Sequence, residues 1–244
     1  MNTRFPIIIL IGRPAAGKSE VIDFLKKTPR DERIARFGVG AFEEIDDFPM
    51  LWTWFEEDAI LEKVMGRPRV QSDSDGYFLH QYQWDLLIER ISFEYDKKLR
   101  DADYHTTYTS ILEFARGSEH GGFASAFQHL SDRILSRAVI VYIDVTWEES
   151  LRKNRKRFNP DRPDSILEHG LPDAKLERLY KESDWAEVSA ASPTHIEIKG
   201  HKVPYVVFAN VPSRTEDVAL LGPALDEVFT RARALVADDP ARTC

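Results

Sequence analysis

The run Phe5-Pro6-Ile7-Ile8-Ile9-Leu10-Ile11 leads into Gly12-Arg13-Pro14-Ala15-Ala16-Gly17-Lys18-Ser19 and then Glu20-Val21-Ile22-Asp23-Phe24-Leu25-Lys26-Lys27. This stretch decides how the chain is read. Its first part is continuously apolar and rich in isoleucine, the pattern of a central parallel strand buried on both faces. Its last part predicts a helix over Ser19–Lys27, with Val21, Ile22, Phe24 and Leu25 on the buried side. The eight residues between match G-x-x-x-x-G-K-[ST] at every fixed position. Phosphate oxygens need those residue types. Glycine lets bare backbone N–H groups close around an anion, and the following helix turns its positive end toward it. Lys18 is placed to reach the outer phosphates, and the Ser19 hydroxyl to serve as a Mg²⁺ ligand. Residues Gly12 to Ser19, together with Glu20, are therefore the expected nucleotide contacts, with ATP and Mg²⁺ as the expected cofactors.

Outward from this loop the sequence alternates strand and helix. That rhythm predicts an α/β three-layer sandwich around a mostly parallel sheet of about five strands. A second strand is expected near Arg33–Gly38 or slightly later, before Glu43-Glu44-Ile45-Asp46-Asp47-Phe48. Residues 48–100 read as a helical insertion, with helices over Phe55–Met65 and Trp84–Leu99 and a turn-rich stretch, Gly66–Gly76, between them. A strand over Thr106–Phe114, a helix around Ala124–Ser136 and a strand over Ala138–Val145 follow. Next come a basic helix, Glu148–Arg157, and a proline- and aspartate-rich loop or lid, Phe158–Pro172. Strands over Thr194–Ile198 and Val203–Ala209 then flank Gly200-His201, before an amphipathic helix over Glu216–Val236. Ala237–Cys244 is expected to fray. In this reading one domain spans 1–236, with the lid region at 152–180.

Composition narrows the classes. A chain of 244 residues has room for one well-buried core. With 41 acidic against 33 basic residues the formal charge is -8, the opposite of a protein built to grip a nucleic acid backbone. One cysteine, Cys244, rules out an internal disulfide framework and a cysteine zinc site, and it points to a reducing cytoplasm. The apolar run at Phe5–Ile11 is too short to span a bilayer. It is followed by Gly12-Arg13-Pro14 rather than by a small-residue cleavage site, so no membrane partner is expected. The 7 histidines show no metal-binding spacing; His120, within Gly117–Gly122, is the one to watch. A guanine-specific N-K-x-D motif is absent, and Ala138–Val145 ends in Asp144 without a second acid beside it.

Taken together, these features resemble the P-loop kinases of nucleosides, nucleotides and related small metabolites. Pro14-Ala15-Ala16-Gly17-Lys18-Ser19 looks like their phosphate loop. Asp46-Asp47-Phe48 is similar to the Asp-Asp-Phe element of the uridine kinase and phosphoribulokinase group. Glu113…Arg116 resembles the Glu-Arg or Asp-x-x-Arg element of nucleoside and thymidylate kinases. Arg152, Arg155 and Arg157 look like a lid helix, although the R-x-x-x-R-x-R spacing is not reproduced. Asn210 resembles the position where these kinases surround adenine. The resemblance implies an ATP-dependent phosphotransferase acting on a nucleoside, nucleotide or related metabolite. It implies Lys18 and Arg155 on the transferring group, Arg152 and Asn210 on the nucleotide, and Asp47, Arg116 and Arg157 on the acceptor.

Elementary chemistry supports the carboxylates separately. Asp46 or Asp47 would end one strand and Glu113 another, where ligands of open α/β sheets bind. Either could orient or deprotonate an acceptor hydroxyl while the other holds Mg²⁺ through water. The pair Asp46-Asp47 equally suits a helix N-cap. Were the acceptor a phosphate, no base would be needed and Arg116 would clamp it. The aromatics Phe48, Trp52, Trp54, Phe55, Tyr77, Phe78, Tyr82 and Trp84 suit either a stacking surface or a core. Two other readings stay open: an NTP-binding regulatory protein or slow NTPase with no acceptor, and a kinase-fold enzyme acting on a macromolecule or antibiotic. A homodimer is compatible with the sequence.

Overall fold

The computed structural model describes residues 4–100, 103–157 and 170–244. In chain order its elements begin with β1 (Ile7–Gly12), α1 (Lys18–Lys27), α2 (Arg30–Phe37), β2 (Ala41–Asp46), α3 (Asp47–Lys63) and α4 (Tyr82–Lys98). They continue with α5 (Tyr104–Thr107), β3 (Tyr108–Phe114), α6 (Gly122–Gln128), α7 (Asp132–Leu135), β4 (Ala138–Asp144) and α8 (Trp147–Arg157). The last are α9 (Asp173–Tyr180), α10 (Trp185–Ser189), β5 (His195–Ile198), β6 (His201–Ala209) and α11 (Val218–Val236).

The strands form a six-stranded sheet in the order β2-β3-β1-β4-β6-β5. All neighbours run parallel except β5, which pairs antiparallel with β6 at the edge. β1 is buried along its whole length because β3 and β4 take its two edges and helices cover both faces. Its side chains alternate between two cores, as a pleated strand dictates. Ile8 and Leu10 pack with Val21, Leu25, Leu225 and Phe229 on one face. Ile7, Ile9 and Ile11 pack with Ile88, Ile91, Phe123 and Phe127 on the other. The connections leaving β1 and β3 run in opposite directions across the sheet, which opens a crevice beyond the carboxyl ends of these two strands.

Several elements differ from their sequence reading. The apolar residues of Arg33–Gly38 sit on α2, not on a strand, and β2 starts at Ala41. Arg33 and Phe37, one turn apart, are both buried, and the Arg33 guanidinium donates to the carbonyls of Leu25 and Gly40. Gly38, at φ 67°, closes the helix. Residues Tyr104–Thr107 form a helical turn before β3, and the helix expected over Ala124–Ser136 is broken into α6 and α7. The C-terminal tail is docked rather than frayed. Arg242 is buried, its guanidinium donating to the carbonyls of Ala138 and Lys202, and the backbones of Cys244 and Arg4 bond to each other. The edge strand β5 brings the sheet to six strands rather than about five. Residues 158–169 of the expected lid lie outside the described residues. Among those described, no helix is long and apolar enough to cross a membrane.

Candidate active site

β1 ends in the glycine loop and α1 begins inside it. A side chain on Gly12 would meet the Ile143 carbonyl of β4 at 2.7 Å. Gly17 sits at φ 113°, and a Cβ there would strike the Thr215 side chain at 2.7 Å. Both positions therefore need glycine. The loop is braced from three sides. The Ser150 hydroxyl of α8 donates to the Pro14 carbonyl at 2.8 Å, and the Arg13 guanidinium donates to the carbonyls of Tyr180 and Lys181. Behind the loop, the fully buried Asn210 donates to the Ala16 carbonyl at 2.8 Å. It also bonds Thr215 and the Arg214 amide, so its amide holds backbone.

Parallel pairing brings Asp46 of β2 level with Glu113 of β3, which is level with Leu10 of β1. The two carboxylates thus meet beside the loop, although 67 positions separate them in sequence. Lys18, buried at the start of α1, places Nζ 3.9 Å from Glu113 and 3.4 Å from the Arg13 carbonyl. Burial, then the charges of Glu113 and Asp47, pushes the Asp46 carboxyl up to about 8. Burial likewise raises Glu113, with Lys18 acting against it. Asp46 also accepts from the Phe48 amide at 3.0 Å and so caps α3, which makes it a helix cap and a site carboxylate at once. The fold is a mostly parallel α/β sandwich with a phosphate-type loop at its crevice.

Further along the crevice, Asp47 and Arg116 form a buried ion pair at 2.6 Å. Arg116 also donates to the carbonyls of Ala115 and Trp84 and lies against the rings of Trp84 and Phe114. Phe48 and Trp84 face the same cavity, whose volume is about 630 Å³. Phe78, in contrast, packs between Trp54, Phe55 and Trp84, away from the cavity wall. His120 is buried and stacked 3.7 Å from Trp84. Burial, then Arg116, pushes its pKa down to about 2, so the ring stays neutral.

The basic helix divides its charges by face. Ser150, Lys153 and Asn154 are buried, and Lys153, Lys156 and Arg157 border the cavity. Lys153 Nζ donates to the Thr215 hydroxyl at 2.9 Å. Arg152 instead forks onto Glu149 and Glu216, and the exposed Arg155 pairs with Asp173 at 2.6 Å. Of the arginines named from sequence, Arg157 is therefore brought to the cavity, and Arg155 is turned to the outer face. Lys153 was missed. The spacing 150, 153, 154, 157 is one helix face, and this was the signal that would have found it. Ser19 and Glu20 border the cavity from the first turn of α1.

No family model matches the chain, nor does any curated protein. Among solved structures, a sugar kinase from Janibacter sp. HTCC2649, unliganded, aligns over 98% of this chain and 97% of its own. The identity is 13% and the TM-score 0.41. A second, APE1195, covers 94% and 98% at 13% identity with a TM-score of 0.40. A shikimate kinase from Acinetobacter baumannii, in complex with shikimate, covers 71% and 75% at 16% identity with a TM-score of 0.32. At these scores the likenesses say nothing of chemistry, and the site has to speak for itself.

Proposed function

We propose that this chain is an ATP-dependent phosphotransferase that moves a γ-phosphoryl group to the hydroxyl of a small molecule. The observation that carries the reading is the meeting of Lys18 with Asp46 and Glu113 at the mouth of the phosphate loop. Two carboxylates beside the loop leave one to hold Mg²⁺ and the other to take the proton of an acceptor hydroxyl. The cavity volume of about 630 Å³ falls within the range of small-molecule sites.

The residues present also fit a hard divalent cation. The available donors are oxygens, the Ser19 hydroxyl and the Asp46 and Glu113 carboxylates. The raised pKa of both acids marks buried negative charge that a cation or a proton would relieve. Among the described residues no cluster of three or more acids or histidines can hold a metal by itself. Magnesium is usually bound by one or two carboxylates together with substrate phosphates, which suits this arrangement. When bound, it would neutralise phosphate charge.

In this reading the chain's own groups divide the work. Loop amides and Lys18 hold the β- and γ-phosphates, and Lys153 supplies further positive charge from α8. Burial raises both Asp46 and Glu113, and the ionised carboxylate of the pair accepts the acceptor's hydroxyl proton. The acceptor oxygen then bonds to the γ-phosphorus as the bond to the β-phosphate oxygen breaks, leaving a nucleoside diphosphate. Phe48 and Trp84 cover an apolar side of the acceptor.

The test is ATP turnover with Mg²⁺ against a panel of nucleosides, sugars and polyols, with phosphorylated product identified by mass. Stimulation by one compound class with product formed is expected, and Lys18→Ala should abolish it while circular dichroism stays unchanged. Wild-type turnover in Lys18→Ala would end the proposal.

A further inference from the structure

The two ends of the crevice differ in charge. The wall supplied by α8 presents Lys153 and Lys156, the latter paired with Glu216 at 2.6 Å, on the side of the phosphate loop. The opposite end, at the carboxyl termini of β2 and β3, presents Asp46, Asp47 and Glu113. Its own cation is Arg116, and that charge is already committed. The guanidinium donates to Asp47 at 2.6 Å, to the Ala115 carbonyl at 2.7 Å and to the Trp84 carbonyl at 3.0 Å. It is only 3% exposed. Lys18 belongs to the transferring phosphoryl group. Arg157 lies near enough to Glu113 to favour its ionised form, so it offsets that carboxylate rather than adding net positive charge. Around this acidic end stand Phe48, Leu51, Trp84 and Tyr180.

Resting on the phosphotransferase reading, we infer that the acceptor is an uncharged, hydroxyl-bearing compound with an apolar face, the class of free nucleosides and unphosphorylated sugars. Acceptors carrying a phosphate or carboxylate are excluded. An anion entering here would meet the negative charge that Asp46 and Glu113 hold between them and an arginine already neutralised by Asp47, and like charges placed in a buried site repel strongly. A neutral polyol meets the same carboxylates as hydrogen-bond acceptors for its hydroxyls. Its carbon face meets aromatic rings.

The experiment compares matched pairs: nucleoside against nucleoside monophosphate, free sugar against sugar phosphate, and polyol against the corresponding carboxylic acid. kcat/KM with Mg·ATP is measured for each, and Mg·nucleotide binding is followed by calorimetry in parallel. The neutral member of a stimulating pair is expected to win by roughly 100-fold, the scale of a like-charge contact in a desolvated site. Asp47→Asn should uncover Arg116 and shrink that ratio by about tenfold. Preference of the wild type for the anionic member would overturn the inference while leaving the kinase standing. Nucleotide binding with no stimulation by any pair would remove the acceptor, and this inference with it. Absence of nucleotide binding would instead bring down the phosphotransferase reading itself.

Discussion

Asp58 and Asp46 are both acids withdrawn from water by the same helix, α3, and they end in opposite electrostatic states. Asp58 is fully buried near the middle of α3. Burial alone would raise its pKa. However, it accepts from the amides of Val70 at 2.7 Å, Gln71 at 3.0 Å and Ser72 at 2.5 Å, and from the Ser72 hydroxyl at 2.7 Å. Those donors outweigh burial and hold the carboxyl below its ordinary range. Asp46, at the N-cap, accepts from the Phe48 amide and faces Glu113 and Asp47, and it is pushed up to about 8. An acid ringed by donors is a pin, here fastening the loop after α3 to the helix. An acid facing other acids is costly for the fold, and it is useful only when a ligand arrives to share its charge.

The largest expected effect lies at the second kind of acid. Asp46→Asn or Glu113→Gln should slow single-turnover phosphoryl transfer by about 10²–10⁴-fold, the usual contribution of general acid–base catalysis. Mg·nucleotide affinity, read by calorimetry, should change far less. An equal loss of transfer in Asp58→Asn would erase the contrast. Next in size, Lys153→Ala should reduce single-turnover transfer by about 10²-fold by removing one positioned donor from the phosphates.

At the pin the effect should be on stability instead. Asp58→Ala leaves three backbone amides without their acceptor and should cost about 3 kcal/mol. For a chain of this size that lowers Tm by roughly 6–12 °C. Transfer by the folded protein at 25 °C should remain within a few-fold of wild type, and a deeper loss would place Asp58 in the chemistry.

The two acids also predict opposite pH slopes, a smaller effect. Raised in the fold, the Asp46 pKa makes the native state bind the extra proton, so ligand-free stability falls as pH rises from about 4 to about 8. Asp46→Asn, which keeps an N-cap oxygen, should flatten that fall and melt higher than wild type near pH 8. The Asp58 pKa is lowered, so its contribution is present above the unfolded value and is lost as pH falls through the folded one. The penalty of Asp58→Asn should therefore shrink in acid. Thermal melts of both variants from pH 4 to 9 would show whether the slopes diverge. Smallest of all, Arg155→Ala should leave turnover nearly unchanged, because an exposed pair with Asp173 contributes little. A large loss there would move the outer face of α8 into the site.

The legible parts of this molecule share one property: their residues are neighbours in the chain. The apolar run before Gly12, the glycines and Lys18-Ser19 specify strand, anion cradle and helix over about twenty positions, and local backbone geometry needs no distant partner to do so. Contiguity failed as a guide at Arg33–Gly38, where a stretch that could be a strand became α2. Arg33 found carbonyls on its own helix's neighbours, and this depends on packing. It failed again on α8, because the sequence states the charges but not which helix face meets the loop. Contact between Ser150 and Pro14 fixes that phase.

From the chain alone, then, came an anion-binding loop, an α/β framework and the residue types that phosphoryl transfer requires. The folded molecule decided which acids meet, which arginine is already neutralised by Asp47, and which lysine of α8 looks inward. These are contacts between residues tens of positions apart, set by sheet register and helix phase. A linear pattern carries the period of each element, but not its alignment with the others.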